Sequence, residues 1–166
     1  MTQTSLSDAP DDVHALVSAA RAVLANAHVP YSRFAVGAAV RLTDGTVIEG
    51  CNFENASYGL SLCAETVALA TVNARGRLRD VEAIAVTGGG LDGGDAAIVR
   101  PCGRCRQIMN EVEQMGGRPI AIYCTGATGD AVEQHRVADL LPHAFGPADL
   151  GFTAAPAADT SQQGDA

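Results

Sequence analysis

Two short clusters constrain this chain more than any other feature: Cys63-Ala64-Glu65, and further along Pro101-Cys102-Gly103-Arg104-Cys105. Three thiolates fill three of the four positions that zinc favours. They leave one position open for water, as a catalytic zinc site does and a structural one does not. Glu65 follows Cys63 by two residues, too closely to serve as a separate ligand, but within reach of the open position, where it can move protons. Two other uses of the cysteines compete with this reading. Cys102 and Cys105 alone have redox-pair spacing, and Cys51 or Cys124 as a fourth ligand would close the site into a structural one.

The rest of the composition narrows the field. With 166 residues, the chain is expected to form a single domain spanning 1–166, long enough to bury a substantial core. A 47% hydrophobic and 18% charged content is that of a globular chain. No apolar run approaches the ~20 residues that cross a bilayer, so no membrane role is expected. Residues 1–12 lack a basic and then hydrophobic leader, so the expected compartment is the cytoplasm. Five cysteines, an odd number, fit a reducing compartment in which thiols serve metals or catalysis. A net charge of -8 disfavours DNA or RNA as partner, because gripping phosphates needs a basic footprint. A small, free molecule is the better substrate class.

Hydrophobic periodicity orders the elements. Residues 1–10 are small and polar and expected to be frayed. Val13, Leu16, Val17, Ala20, Val23, Leu24 and Ala27 then recur at helical spacing, with Asp11 or Asp12 as cap and Pro30 beyond the end. Segments 34–42 and 46–50 flank Asp44-Gly45, a strong hairpin signal. Residues 51–62 form a polar loop. A second helix is expected over 63–75 and stops at Gly76. A continuous apolar strand follows over 81–87, then a glycine-rich connection over 88–94 that lacks a phosphate-binding pattern. A short strand at 97–99, a helix at 103–115, a strand at 119–124 and a short helix at 137–141 complete the order. The tail from about 153–166 is expected to be disordered. Strands alternating with helices after an initial hairpin imply an α/β fold. The expected architecture is a three-layer α/β/α sandwich around a mixed sheet of four or five strands.

In this scheme both cysteine clusters fall at helix starts, where backbone N–H groups and the helix dipole stabilise thiolates. Zinc with three thiolates carries a formal charge of -1. Arg104 and Arg106 are therefore candidates for offsetting that charge. His14, His28, His135 and His143 have no ligand spacing and read as surface or satisfied structural residues, while Cys51 and Cys124 read as small buried hydrophobes.

Over about residues 29–150 the chain resembles the small homotetrameric zinc-dependent cytidine deaminases, whose fold it is expected to share. The resemblance rests on Pro30-Tyr31-Ser32-Arg33-Phe34 with Gly37-Ala38-Ala39, and on Gly50-Cys51-Asn52-Phe53-Glu54-Asn55-Ala56-Ser57-Tyr58. The two cysteine clusters (the second continuing into Arg106-Gln107) and Leu140-Leu141-Pro142 with Phe145 complete it. It implies hydrolytic deamination of cytidine and deoxycytidine to the uridine nucleosides in pyrimidine salvage, with water activated at zinc attacking ring C4. By the same resemblance Cys63, Cys102 and Cys105 bind one zinc ion per subunit, and Glu65 shuttles protons. Asn52 and Glu54 hold the ribose 3′-hydroxyl, Phe34 stacks near the pyrimidine, and the Ala64 N–H receives the ring carbonyl oxygen. Phe145 reaches in from a neighbouring subunit, and Ala56 and Tyr58 contribute near the 5′ end, so active sites are shared within the tetramer.

Two positions depart from the family pattern. Thr66 stands where many relatives carry an arginine beside the thiolates, so Arg104 or Arg106 is expected to take over part of that task. Phe53 stands where a smaller aliphatic residue is usual. Rival readings are a deaminase of a related aminopyrimidine nucleoside, such as blasticidin S, and a non-catalytic zinc-binding module.

Overall fold

Six strands make one sheet: β1 (Thr2–Ser5), β2 (Phe34–Leu42), β3 (Val47–Cys51), β4 (Val81–Gly90), β5 (Ala121–Thr125) and β6 (Ala131–Arg136). Their spatial order is β1-β6-β5-β4-β2-β3. The computed structural model describes residues 2–93 and 95–152. Only β4 and β5 run parallel; every other neighbouring pair is antiparallel. Helix α1 (Asp11–Ala22) covers one face, while α2 (Ala64–Ala74), α3 (Gly103–Gly116) and the short α4 (Val137–Leu140) cover the other. The three-layer α/β/α arrangement is thus the expected one.

The two faces are filled differently. On the α1 face, Leu16, Val17 and Ala20 meet Ala39, Ala83, Ala85 and Val132, mostly small side chains that let the helix lie close to the strands. On the other face Ala68, Leu69, Val72 and Met109 pack on the larger Val40, Leu42, Ile84, Val86 and Ile122. Strand alternation produces the split, since consecutive residues of β2 point to opposite layers.

Several expectations need correction. Residues 2–5 are not frayed: β1 pairs antiparallel with β6, Thr2 opposite Gln134, and its polar side chains stay mostly exposed. Helix α1 is preceded by Pro10 rather than by an aspartate cap. Asp11 and Asp12 lie inside the first turn, where negative charge complements the dipole. The regular helix ends at Ala22, and a 3-10 turn over Val23–Asn26 completes the stretch. The sheet has six strands instead of four or five because β1 and β6 extend it beyond the expected edge. Strand β4 continues through Gly90, so the first part of the supposed connection at 88–94 is sheet. No strand forms at 97–99, although the Val99 N–H donates to Thr125 O at 3.2 Å. The expected disorder at 153–166 falls outside the described residues.

Two glycines place helices on the sheet. A Cβ on Gly37 would lie 2.1 Å from Ala20 O, so the close approach of α1 to β2 at this point needs a glycine. A Cβ on Gly50 would lie 2.5 Å from Ala68 N and 2.7 Å from Ala64 O, within the first turns of α2. Gly50→Ala is expected to cost about 1–3 kcal/mol, because backbone rather than a flexible side chain must yield. An unchanged denaturant midpoint for this variant would show that α2 does not depend on the close approach.

The β2–β3 hairpin carries its own pH response. The Thr46 amide (3.0 Å), the Thr46 hydroxyl and the Arg77 guanidinium hold the Asp44 carboxyl at about 2, well below its ordinary 3.8. A depressed carboxyl pKa stabilises the fold above the unfolded value and loses that contribution as pH falls through the folded value. Asp44→Asn is therefore expected to be less stable than the parent at neutral pH, with the gap closing between pH about 4 and about 2. Denaturant melts across that range test this, and a gap constant with pH would refute it.

Candidate active site

The two cysteine clusters meet because two helices begin at the same place. Cys63 is the N-cap of α2 and Cys102 the N-cap of α3, both with extended backbone, while Cys105 lies in the first turn of α3. Cys63 Sγ lies 3.8 Å from Cys102 Sγ, and Cys102 Sγ lies 3.6 Å from Cys105 Sγ. All three sulfurs lie within 4.8 Å of one another, and they can hold a metal ion. Tetrahedral zinc with Zn–S bonds of about 2.3 Å needs sulfurs roughly 3.8 Å apart, so the spacing fits. Every cysteine is free of disulfide bonds. Cys51 and Cys124 are not in the cluster, which excludes the closed four-cysteine alternative.

The electrostatics of the sulfurs point the same way. Donation from the Cys105 thiol pulls Cys63 down to about 6, while that pairing and burial push Cys105 well up. Neighbouring thiolates cannot all ionise without a compensating charge, and a dication at their centre supplies it. The Thr66 hydroxyl lies 3.8 Å from Cys105 Sγ, so the position where arginine was the expected family residue faces the cluster as a hydroxyl. Arg104 also lowers the Cys63 pKa. Arg106, in contrast, is committed to the Pro101 and Leu140 carbonyls at 2.7 and 2.9 Å. Glu65 lies in the first turn of α2 and is only 4% exposed; desolvation raises its pKa and favours holding a proton.

Beside the cysteines lies a cavity of about 240 Å³, lined among others by Cys63, Ala64, Glu65 and Cys102, and also by Asn52 and Glu54. The last two are held by the backbone they face. Asn52 Oδ1 accepts from Val36 N at 2.9 Å, and Asn52 Nδ2 donates to Phe34 O at 3.0 Å. This pairing fixes the amide orientation, since a flipped amide would lose both bonds, and it leaves one N–H for a ligand. Glu54 Oε2 accepts from the Tyr31 and Ser32 amides at 3.0 and 3.2 Å, leaving Oε1 for another donor. The Ser32 hydroxyl and these amides hold its carboxyl below the usual range, so it is an acceptor at neutral pH.

The remaining sequence-predicted residues are spread more widely. Phe34 is 36% exposed at the start of β2, and Ala56 is exposed on the loop. Tyr58 meets Tyr31 edge to face at 5.8 Å and lines an adjoining cavity that shares Glu54 and Ser61 with the first. Phe145 lies in a separate groove of about 500 Å³ along α3, 61% exposed. That groove is larger, but it contains neither the thiols nor Glu65, so the chemistry lies in the smaller cavity. Phe53 packs against His28, ring centres 5.6 Å apart, and its backbone pairs with Leu62, so it braces the loop. Sequence reasoning missed Arg100 and Val99 in the cavity wall, and Val36 and Leu62 among its apolar lining. Adjacency to Pro101-Cys102 was the one signal available for Arg100.

The comparisons with known proteins agree with this geometry. The family model described as the cytidine and deoxycytidylate deaminase zinc-binding region matches residues 10–116. The chain belongs to this family. Among curated relatives of this deaminase-family chain, a cytidine deaminase of Mycobacterium tuberculosis is 44% identical over 126 residues, 76% of the chain and 84% of the relative. One from Halalkalibacterium halodurans is 46% identical over 124 residues, 75% and 86% of the two. The crystal structure of a cytidine deaminase from Burkholderia pseudomallei matches with a TM-score of 0.70 at 45% identity, covering 80% of this chain and 98% of that one. The deaminase family's region is a zinc-binding one, and the sulfur cluster fits that ion in spacing and in charge. Among the described residues, no helix is long and apolar enough to cross a membrane.

Proposed function

We propose that the protein is a zinc-dependent cytidine and deoxycytidine deaminase, formed by one domain, that converts the nucleoside and water to the uridine nucleoside and ammonia. One observation carries the reading: a single cavity is bordered by two of the clustered cysteines, by the buried Glu65 and by the Asn52–Glu54 pair. Cys63, Cys102 and Cys105 are the residues that hold zinc in this reading. When bound, the ion acts as a Lewis acid that makes water a nucleophile at neutral pH.

The chain's own residues do the rest. A 3′-hydroxyl is both a donor and an acceptor. The free Asn52 N–H and the free Glu54 oxygen satisfy both roles, which orients the sugar. The Ala64 N–H is the first of α2 and has no intrahelical acceptor, so it is available to the ring carbonyl oxygen. Glu65 takes a proton from the attacking water and delivers it to the ring nitrogen beside C4. It then takes the proton left on the new C4 hydroxyl and passes it to the departing amino group, so that the carbonyl forms as ammonia leaves. Its low exposure excludes solvent and keeps the proton at the carboxyl rather than in bulk water. Phe34 supplies an aromatic surface close to the pyrimidine.

Phe145 and Tyr58 are largely exposed aromatics outside the cavity of their own chain, which supports a homotetramer in which they complete a neighbour's site together with Ala56. Cytoplasmic pyrimidine salvage is the setting this reading implies. The test is an absorbance and ammonia assay on cytidine, deoxycytidine and blasticidin S, with zinc content and oligomer mass measured on the same preparation. Turnover of the two plain nucleosides is expected. Fully zinc-loaded protein inert on both would refute the substrate assignment, and a monomer at assay concentration would refute the shared site.

A further inference from the structure

The backbone that leads into Cys102 is a strap whose successive residues are anchored to three different elements. The Val99 N–H donates to Thr125 O, the last residue of β5, at 3.2 Å. Arg100 forks onto Glu133 of β6, Nε to Oε2 at 2.8 Å and Nη2 to Oε1 at 2.5 Å. The Pro101 carbonyl accepts from Arg106 Nε of α3 at 2.7 Å. Cys102 comes next, the exposed member of the three clustered cysteines.

The middle anchor differs from its neighbours. Pro101 has no N–H, so the strap has no amide donor between Arg100 and Cys102. The side chain of Arg100 takes that place, and a bidentate arginine–carboxylate fork fixes orientation as well as distance. Its acceptor is itself immobilised: Glu133 is 4% exposed, and its Oε2 also meets His135 Nε2 at 2.9 Å, with His135 5% exposed. Strand alternation turns Val132 toward the α1 layer and Glu133 and His135 toward the layer that holds the cysteines. A buried carboxylate is an inefficient way to stabilise a core, since apolar residues of similar volume serve at least as well. Its use here is geometric.

We propose that Arg100, held by the Glu133–His135 pair of β6, is a positioning residue for the metal centre, fixing the strap so that the Cys102 sulfur stands at ligating distance. The proposal rests on the reading of Cys63, Cys102 and Cys105 as zinc ligands. It assigns to β6, a strand remote in sequence from all three cysteines, control over how long the ion stays bound. Arg100 also borders the cavity, so the same fork shapes its wall.

The test is the rate at which zinc-loaded protein surrenders its ion to excess chromogenic chelator, with thermal melts run alongside. Arg100→Met combined with Glu133→Gln removes the fork without leaving an unpaired buried charge, and the amide introduced on β6 can still bond His135. This double variant is expected to release zinc about tenfold faster than the parent, in the range typical when a group supporting a ligand is lost. Arg100→Lys keeps the cation without the fork and is expected to fall between. Arg41→Met is the control. Arg41 pairs with Asp12 and Glu82, both at 2.6 Å, on the α1 side of the sheet, and its loss is expected to leave the release rate unchanged. Parental release rates in both Arg100 variants would overturn the proposal, as would equal acceleration by Arg41→Met. A parent protein that carries no zinc would instead overturn the metal-site reading on which it rests.

Discussion

Glu65→Gln is expected to retain its zinc while releasing ammonia from cytidine about a thousandfold more slowly, within the range that a positioned acid–base group contributes. Glutamine has nearly the same volume and the same hydrogen-bonding reach, so the 4%-exposed site should keep its packing. What it cannot do is accept a proton and give it back. The loss corresponds to about 4 kcal/mol in the barrier, at roughly 1.36 kcal/mol per tenfold. It should appear in kcat rather than KM, because the Asn52 and Glu54 contacts to the sugar are untouched. Zinc content by elemental analysis separates this outcome from simple loss of metal. A variant that keeps a tenth or more of the parental kcat at full zinc occupancy would remove Glu65 from the proton pathway and leave the water without a base.

Cys105→Ser is expected to have the opposite profile, losing metal and activity together. Cys105 is fully buried in the first turn of α3, with Cys102 Sγ at 3.6 Å and the Thr66 hydroxyl at 3.8 Å. A serine oxygen is a harder ligand with a shorter bond, and it does not ionise near neutral pH, so two thiolates remain to hold the ion. Binding to the native state alone stabilises a protein in proportion to the logarithm of ligand excess, about 4 kcal/mol at a thousandfold over Kd. In a domain of this size that is a rise in Tm of roughly 8–16 °C. The parent should show such a rise when zinc is returned to chelator-treated protein, and Cys105→Ser should show almost none. Stoichiometric zinc in the dialysed variant would mean that Cys105 is not a ligand.

The site was more legible in the sequence than the fold that carries it. Cys63, Glu65, Cys102 and Cys105 are close in sequence within each cluster, and helix starts announce themselves through the change from a polar loop to an apolar stripe. Asn52 and Glu54 were visible as polar groups in a loop, but not the bonds that orient them, because Val36, Phe34, Tyr31 and Ser32 come from an earlier segment. Strand β6 was missed because Glu133 and His135 occupy inward positions where aliphatic residues are expected, although Gly129-Asp130 ahead of it is a turn signal. Strand β1 was missed for a different reason. Its residues are polar and mostly exposed, and pairing with β6 rather than burial holds it in the sheet. Arg100 belongs with β6. Its partner lies 33 residues downstream, and no local periodicity reveals an ion pair over that distance.

The meeting of two helix starts at one point has a mechanical consequence. Helices α2 and α3 share the sheet beneath them but touch each other little, so their beginnings are joined mainly through Cys63, Cys102 and Cys105. An ion held there is a crosslink closing a loop between residues 39 apart, the covalent role that a disulfide plays in secreted proteins. Withdrawing it frees the two helix ends to open independently while the strands stay paired. Amide exchange after chelation should therefore quicken first at the opening turns of α2 and α3, a local unlocking rather than a global melt.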